Sequence, residues 1–139
     1  MALNIKVNLP DQSCNADCVL HSMPCKINHD GAANITGFFS PYVENKDTDF
    51  INNADAVLEA SFRGYPLQGK KITIPNDFKG IVIGEMKKPL TDMEPRNLYI
   101  KKNFGEITYW NWDCFPNKND SINQSVEWLP LSKLIHNTD

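Results

Sequence analysis

The sequence has no excess of positive charge and no long hydrophobic run. Its 139 residues contain 14 lysines and arginines against 17 aspartates and glutamates, which gives a formal charge of -3. This balance excludes a generally basic nucleic-acid clamp. Apolar runs stay well below the roughly 18 to 20 residues that a membrane span needs. Because the first residues also lack the charged-then-apolar layout of a signal peptide, we expect a soluble, intracellular protein.

Patterns that support catalysis are equally scarce. The seven glycines are scattered and form no phosphate-binding loop, and the acidic residues do not converge as two-metal hydrolysis requires. Cys14, Cys18, His21 and Cys25 come nearest to a zinc set, but their spacing is not that of a usual finger or ribbon. On a strand, His21 and Cys25 stand roughly 13 Å apart, too far for a thiol and its base. We therefore expect free thiols, no metal, no cofactor and no catalytic residue.

The composition is that of a folded domain. Hydrophobic residues make up 41%, with seven Phe, four Tyr and three Trp, which excludes a disordered chain. We predict a single, mostly β domain over residues 1–139. Residues 1–16 form an N-terminal strand or extension in this prediction, because apolar and polar side chains alternate from Leu3 to Leu9.

Alternation predicts further strands. One covers Val19 to Ile27 and either lies at a sheet edge or has a bulge at Pro24, because this proline cannot donate to a ladder. The stretch from Ala56 to Ile83 predicts three strands joined by short turns, a meander. An aromatic-rich final strand runs from Phe104 to Trp112.

Prolines and polar residues predict the connections. Pro89 and Pro95 predict a linker over residues 86–102, between the central strands and the final strand. A polar loop is predicted from Pro116 to Ser125. Apolar residues at i, i+3 and i+4 behind Pro130 predict a short C-terminal helix from Pro130 to His136.

Five short segments follow one another between Val19 and His136. They are Leu20, His21, Met23, Pro24 and Cys25; Asp30, Gly31, Gly37, Phe38, Phe39 and Pro41; Phe62, Arg63, Gly64, Leu67, Gly69, Ile74 and Pro75 with Gly80 to Ile83; Asn103, Phe104, Thr108, Trp110 and Pro116; and Trp128, Leu134, Ile135 and His136. In this order they resemble the signature of the family of ribonuclease H2 C subunits. The segment from Glu85 to Asn103 lacks the long acidic insertion of some relatives, and the residues before Asp17 match nothing in the family.

The resemblance implies a non-catalytic subunit. Its β-barrel module would be intertwined with the B subunit of ribonuclease H2 in a triple-barrel heterodimer, which docks on the catalytic A subunit in the nucleus. The complex would degrade RNA of RNA-DNA hybrids and incise at ribonucleotides embedded in DNA. Mg²⁺ is expected only in the catalytic subunit, whereas this chain would meet nucleic acid only through the complex.

Three residues are candidates for a partner interface. Arg63 lies beside Gly64 at a turn, where its guanidinium could hold a carboxylate or backbone carbonyls of another chain; an exposed turn arginine without a partner is the alternative. The resemblance adds Pro116 and Lys118, in a loop that would face the catalytic subunit.

The main alternative is an independent oligonucleotide-binding β-barrel. In that case Tyr109, Trp110 and Trp112 would present rings for base stacking. Because alternate residues of a strand point to opposite faces, Tyr109 points away from the other two, and we expect at least one of the two aromatic faces to be core. A small stand-alone enzyme is the weakest alternative.

Overall fold

The structure is a computed structural model that describes residues 5–8, 18–46, 56–91 and 93–137. Within these ranges the strands are β1 (Ile5–Asn8), β2 (Leu20–Ser22), β3 (Glu44–Lys46), β4 (Val57–Phe62), β5 (Tyr65–Thr73), β6 (Gly80–Glu85), β7 (Arg96–Phe104) and β8 (Glu106–Trp112). The helices are α1 (Ile35–Phe38) and α2 (Ser121–His136), and a 3₁₀ turn covers Ser40–Tyr42. The described residues divide into two compact units, with boundaries after Val19, Thr73 and Glu106.

The larger unit contains a five-stranded sheet in the order β2-β8-β5-β4-β3. Strands β4 and β5 form a hairpin in which Phe62 faces Tyr65 and Leu58 faces Gly69. Strand β8 runs antiparallel to β5, since the amide of Asp113 at the end of β8 donates to the carbonyl of Pro66 at 3.1 Å. Strand β2 pairs in parallel with β8 and forms one edge of the sheet.

A small core covers one face of this sheet. Leu58, Leu67 and Trp110 are buried there, and the Trp110 ring has no exposed surface. Phe39, which follows α1, places its ring edge-on to Trp110 with 5.6 Å between ring centroids. Strand β5 comes very close to the indole, because Gly69 has no side chain at the contact.

The smaller unit contains a three-stranded sheet in the order β1-β7-β6. Strand β1 runs parallel to β7, with Val7 opposite Leu98, and β6 runs antiparallel to β7, with Ile83 opposite Ile100. A bulge interrupts the β6 register between Val82 and Ile83. Of the predicted N-terminal strand or extension over residues 1–16, only Ile5–Asn8 is described, and the remainder lies outside the described residues.

The mostly β fold and the C-terminal helix are confirmed, and the predicted edge strand does lie at an edge, although it covers only Leu20–Ser22. The meander is wrong in its third strand. Alternation indicates which face a residue occupies but not which strand is its neighbour, and β6 pairs with β7 instead of β5. The described residues form two sheets and no closed barrel.

Two predicted boundaries are also wrong. The linker over 86–102 ends before Arg96, because residues 96–102 belong to β7. Pro89 and Pro95 both precede this strand and do not interrupt it. The helix begins at Ser121 and not at Pro130, so Pro130 lies inside it. The predicted single domain over residues 1–139 stays a prediction.

The segment predicted as a polar loop contains the first apolar residues of a helical period, which explains the longer helix. Ile122, Val126 and Leu129 recur at i, i+4 and i+7 and are the half-buried apolar positions of the first half of α2. The polar residues between them conceal this periodicity.

Candidate protein interface

His21 and Cys25 belong to the group considered for zinc. Within the described residues no three His, Cys, Asp or Glu side chains are grouped closely enough to hold a metal ion, and Cys14 lies outside those residues. The Nδ1 atom of His21 accepts a hydrogen bond from Nε1 of Trp110 at 3.2 Å. Burial, with a smaller contribution from Lys71, lowers the pKa of His21 below its ordinary 6.5. His21 is therefore a neutral acceptor that fixes the core tryptophan.

Arg63 occupies the turn between β4 and β5. Its φ of 51° and that of Gly64, 81°, are both positive, as a two-residue hairpin turn of type I′ requires. The guanidinium carbon lies 5.3 Å from the centroid of the Phe62 ring, a distance typical of a cation-π contact. The Arg63 side chain is thus held against Phe62 at the exposed tip of the hairpin.

Two aromatic rings lie just beyond this turn. Tyr65 and Trp112 stack with 4.7 Å between centroids, and both remain exposed, Tyr65 by 54% and Trp112 by 43%. Of the three rings considered for base stacking, Trp110 is fully buried, so it offers no face to a base. Arginine, tyrosine and tryptophan are the residues most enriched at energetic centres of protein interfaces. The hairpin tip therefore has the composition of a protein contact.

Pro116 and Lys118 line an open groove of about 420 Å³. One wall is formed by residues 70–73 at the end of β5, the second by the loop 115–118, and the third by α2. Pro116 is fully buried and Lys118 is exposed. The structure thus brings two of the three predicted interface residues together. Arg63 lies apart from them, because it precedes the first residue of β5, whereas the last four residues of that strand line the groove.

Hydrogen bonds hold the loop that carries Lys118. One carboxylate oxygen of Asp120 accepts from the backbone amide of Asn117 at 2.9 Å and from the side chain of Asn111 on β8 at 3.0 Å. The side-chain amide of Asn123 on α2 donates to the carbonyl of Asn117 at 2.6 Å. The position of Lys118 is consequently determined by β8 and α2 together.

The three-stranded sheet presents exposed apolar side chains that sequence reasoning missed, on the face that also carries the ion pair of Glu85 and Arg96. Val7 and Ile83 are 48% and 44% exposed, and their partners across the ladder, Leu98 and Ile100, are half-buried on the same face. Ile5 extends the face along β1. Alternation identifies these positions, but it does not reveal that no described residue covers them. Uncovered apolar surface on a sheet marks a contact site for another chain.

Helix α2 also carries exposed apolar side chains. Four of them, Trp128, Leu131, Leu134 and Ile135, are between 43% and 76% exposed. Lys133 and His136 in the last turn suit the negative end of the helix dipole. None of the helices in the described ranges is long and apolar enough to span a membrane.

The chain is similar to known proteins over most of its length. Residues 19–135 match the family model described as "Ribonuclease H2 non-catalytic subunit (Ylr154p-like)". The chain is 25% identical to the ribonuclease H2 C subunit of Mus musculus over 144 aligned positions, which cover 87% of this chain and 82% of the mouse protein. Identity to the ribonuclease H2 C subunit of Bos taurus is 24%, with the same coverage. The chain, with its exposed sheet face and its lack of a metal-binding group among the described residues, belongs to the family of ribonuclease H2 non-catalytic subunits.

Proposed function

We propose that this chain is a scaffold subunit of ribonuclease H2. It pairs with the B subunit, and the pair supports the catalytic A subunit, which degrades RNA of RNA-DNA hybrids and incises at ribonucleotides embedded in DNA. The active-site Mg²⁺ belongs to the catalytic subunit, whereas the complex as a whole acts in the nucleus. The observation that carries this proposal is the uncovered apolar face of the three-stranded sheet in a chain of this family.

Pairing with the B subunit would cover the open edges and the exposed apolar side chains of the smaller unit. Strands β1 and β6 lie at the two edges of its sheet, and an apolar edge strand with unpaired backbone groups readily accepts a strand from another chain. The β6 sequence Gly-Ile-Val-Ile-Gly-Glu has no charge before its last residue. Strands from the partner would extend this sheet, cover Val7 and Ile83, and close an intertwined barrel.

Co-expression tests the pairing. We expect the chain to be poorly soluble alone and to become soluble with the B subunit, because the partner removes the apolar face from water. A monodisperse monomer that unfolds cooperatively without a partner would contradict the proposal. So would nuclease activity of this chain alone with Mg²⁺.

A matched pair of substitutions tests the face itself. Ile83→Lys places a charge on the proposed contact, whereas Ile27→Lys places the same charge at a residue of similar exposure, 46% against 44%, outside the sheet. A lysine buried in an apolar contact must be desolvated. We expect pull-down of the B subunit to be lost for Ile83→Lys and kept for Ile27→Lys; equal recovery would reject the face as the contact.

Arg63 is proposed to capture the catalytic subunit. Replacing it with asparagine keeps the hairpin, since Asn-Gly is among the pairs that type I′ turns favour most, and removes the guanidinium. If a charged hydrogen bond is lost at a buried contact, Arg63→Asn and Arg63→Ala should weaken binding of the catalytic subunit by about 1 to 3 kcal/mol. Titration of the purified heterodimer against the catalytic subunit measures this. Affinities equal to that of the wild type would reject the role, and loss for the alanine variant alone would indicate a purely structural arginine.

A further inference from the structure

The side of the three-stranded sheet opposite to Val7 and Ile83 is polar on two of its strands. Neighbouring residues of a strand point to opposite sides of a sheet. The residues of β1 and β7 on this side are Lys6, Asn8, Asn97, Tyr99, Lys101 and Asn103. Lysine, asparagine and tyrosine are all side chains that contact the phosphate oxygens of nucleic acids. We call this side of β1 and β7 the polar face.

Three lysines give this region a positive charge. Lys6 and Lys101 lie on the polar face, and Lys87 lies in the loop that follows β6. All three are exposed, and within the described ranges none of them forms an ion pair. Lys88 is less available, because it adds to the effect of Arg96 in lowering the pKa of Glu85.

A groove joins Lys87 to the polar face. It has a volume of about 390 Å³, and Lys87, Asn97 and Tyr99 are among the residues that line it. Among the described residues, the acidic one in its wall is Glu94, which accepts a hydrogen bond from a backbone amide of its own loop at 3.2 Å. Asp92 of this loop lies outside the described residues. The groove therefore offers a cation and two further hydrogen-bonding side chains to a ligand.

A glycine on β6 lets Lys101 lie along the sheet. The Lys101 side chain crosses β6 at Gly84, in the space that a Cβ atom of residue 84 would occupy. Gly84 is opposite Tyr99 in the ladder of β6 and β7. The ammonium group of Lys101 is thus placed next to the strand pair that carries Tyr99.

The spacing of the lysines suits a duplex. Lys6 is paired with Asn97, four residues before Lys101 on β7, so the Cα atoms of the two lysines are roughly 14 Å apart. A duplex carries one negative charge per about 1.7 Å of its axis and therefore presents roughly eight phosphates over that length. Each lysine can meet a phosphate whatever the base sequence.

An acidic protein segment is the alternative ligand. Protein interfaces have an apolar centre and a polar rim, whereas the polar face has no aliphatic side chain on β1 and β7. Strand β6 adds Ile81, opposite Asn103 and 40% exposed, which is too little for an apolar centre. These side chains favour nucleic acid over protein.

We propose that the polar face contacts the phosphate backbone of the double-stranded substrate of the complex through Lys6, Lys87 and Lys101. The inference rests on the proposed function, because it takes the duplex from the assembly. It adds a direct, sequence-independent contact of this chain with nucleic acid, outside the catalytic subunit.

The salt dependence of duplex binding tests the contact. The complex of all three subunits is prepared with the wild-type chain, with Lys6→Gln/Lys101→Gln, and with Lys26→Gln/Lys46→Gln. The last pair removes the same charge from two exposed lysines of the larger unit. Binding of a fluorescent RNA-DNA hybrid is measured by anisotropy without divalent metal ions, so that the hybrid is not cut.

The expected change follows from counterion release. Each phosphate contact contributes about 0.9 to the slope of the logarithm of the binding constant against the logarithm of the salt concentration. We expect Lys6→Gln/Lys101→Gln to reduce this slope by about 1.8, so its loss of affinity should be about tenfold greater at about 50 mM than at about 200 mM NaCl. The control pair should keep the wild-type slope, and so should Lys6→Arg/Lys101→Arg, which retains the charge.

The outcomes separate this inference from the proposed function. If neither partner co-purifies with the wild-type chain, the scaffold function fails and this inference with it. If the complex forms and the glutamine variant has the wild-type slope, or the control pair lowers the slope equally, the inference fails alone. Where the glutamine variant does not fold, Lys87→Gln, in a loop outside the strands, decides by its expected slope change of about 0.9. If the variants weaken assembly while duplex binding of the assembled complex is unchanged, the polar face is a protein contact and the inference is overturned.

Discussion

Replacing Gly69 with alanine tests how closely β5 approaches the Trp110 ring. A Cβ atom at residue 69 would lie 2.5 Å from Cε3 and 2.8 Å from Cζ3 of the indole, whereas carbon atoms pack at about 3.5 to 4.0 Å. The ring must therefore move by about 1 Å. It has little room to do so, because Trp110 is fully buried against Phe39 and donates to His21.

The cost follows from these contacts. Overpacking a core costs about 1 to 3 kcal/mol, and strain on the hydrogen bond to His21 adds up to about 1 kcal/mol. Alanine in place of glycine recovers about 0.4 to 1 kcal/mol by restricting the unfolded chain. We expect a net loss of about 1 to 3 kcal/mol, equivalent to a decrease in melting temperature of roughly 3 to 12 °C.

The matched control is Gly105→Ala. A Cβ atom at residue 105 meets no heavy atom within 4 Å, and the residue does not have a positive φ. Thermal unfolding of the chain, co-purified with the B subunit in every case, should show a lower melting temperature for the residue-69 variant. The control should show an equal or higher melting temperature than the wild type, because alanine in place of glycine stabilises by about 0.4 to 1 kcal/mol where no clash opposes it. An unchanged melting temperature for Gly69→Ala, or equal losses for both variants, would refute the close approach.

Three further predictions concern stability. Because the native pKa of His21 is lowered from 6.5, the native state binds fewer protons than the unfolded state. The free energy of unfolding should therefore fall as the pH drops below about 6.5 and level off below the native pKa. In melting curves from pH 5 to 8, His21→Gln, which keeps an acceptor for Trp110, should reduce this decrease, and an unchanged pH profile would contradict the prediction. Gly64→Ala places a side chain at a φ of 81° and should cost about 1 to 2 kcal/mol in urea unfolding; no loss would mean that the turn relaxes. Lys46→Ala removes an exposed ion pair with Glu59 at 2.7 Å and should change the free energy of unfolding by less than about 1 kcal/mol, and a larger loss would reveal a coupling that the contact does not explain.

Prediction from sequence worked best where contacts are local. The hairpin of β4 and β5 has alternating apolar residues on both sides of a turn that contains glycine, and its pairing runs only from Leu58 to Gly69. The burial of Trp110 on β8 likewise agrees with the expectation that one of the two aromatic faces of this strand is core. In these segments, neighbours along the chain are also neighbours in space.

Prediction failed where polar residues hide a helical period or where the partner strand is remote. In α2, the polar residues Asn123, Gln124 and Ser125 led to the prediction of a loop. Strand β1 pairs with β7, about 90 residues away in sequence, and no local signal indicates this pairing. The groove needs three such remote segments, so Pro116 and Lys118 were proposed from family resemblance and not from spacing.

The sequence by itself determined the β class, the alternating faces of the segments predicted as strands, the turn at Arg63 and Gly64, and the family. These properties depend on local alternation, on turn chemistry and on the order of short motifs. Only the tertiary structure decided which strands are neighbours, because hydrogen bonds between strands join distant segments and alternation carries no information about the partner. It alone showed that Val7 and Ile83 share an uncovered face and that the lysines of β5 meet Lys118 in one groove. Exposure and proximity depend on everything that does or does not pack around a residue.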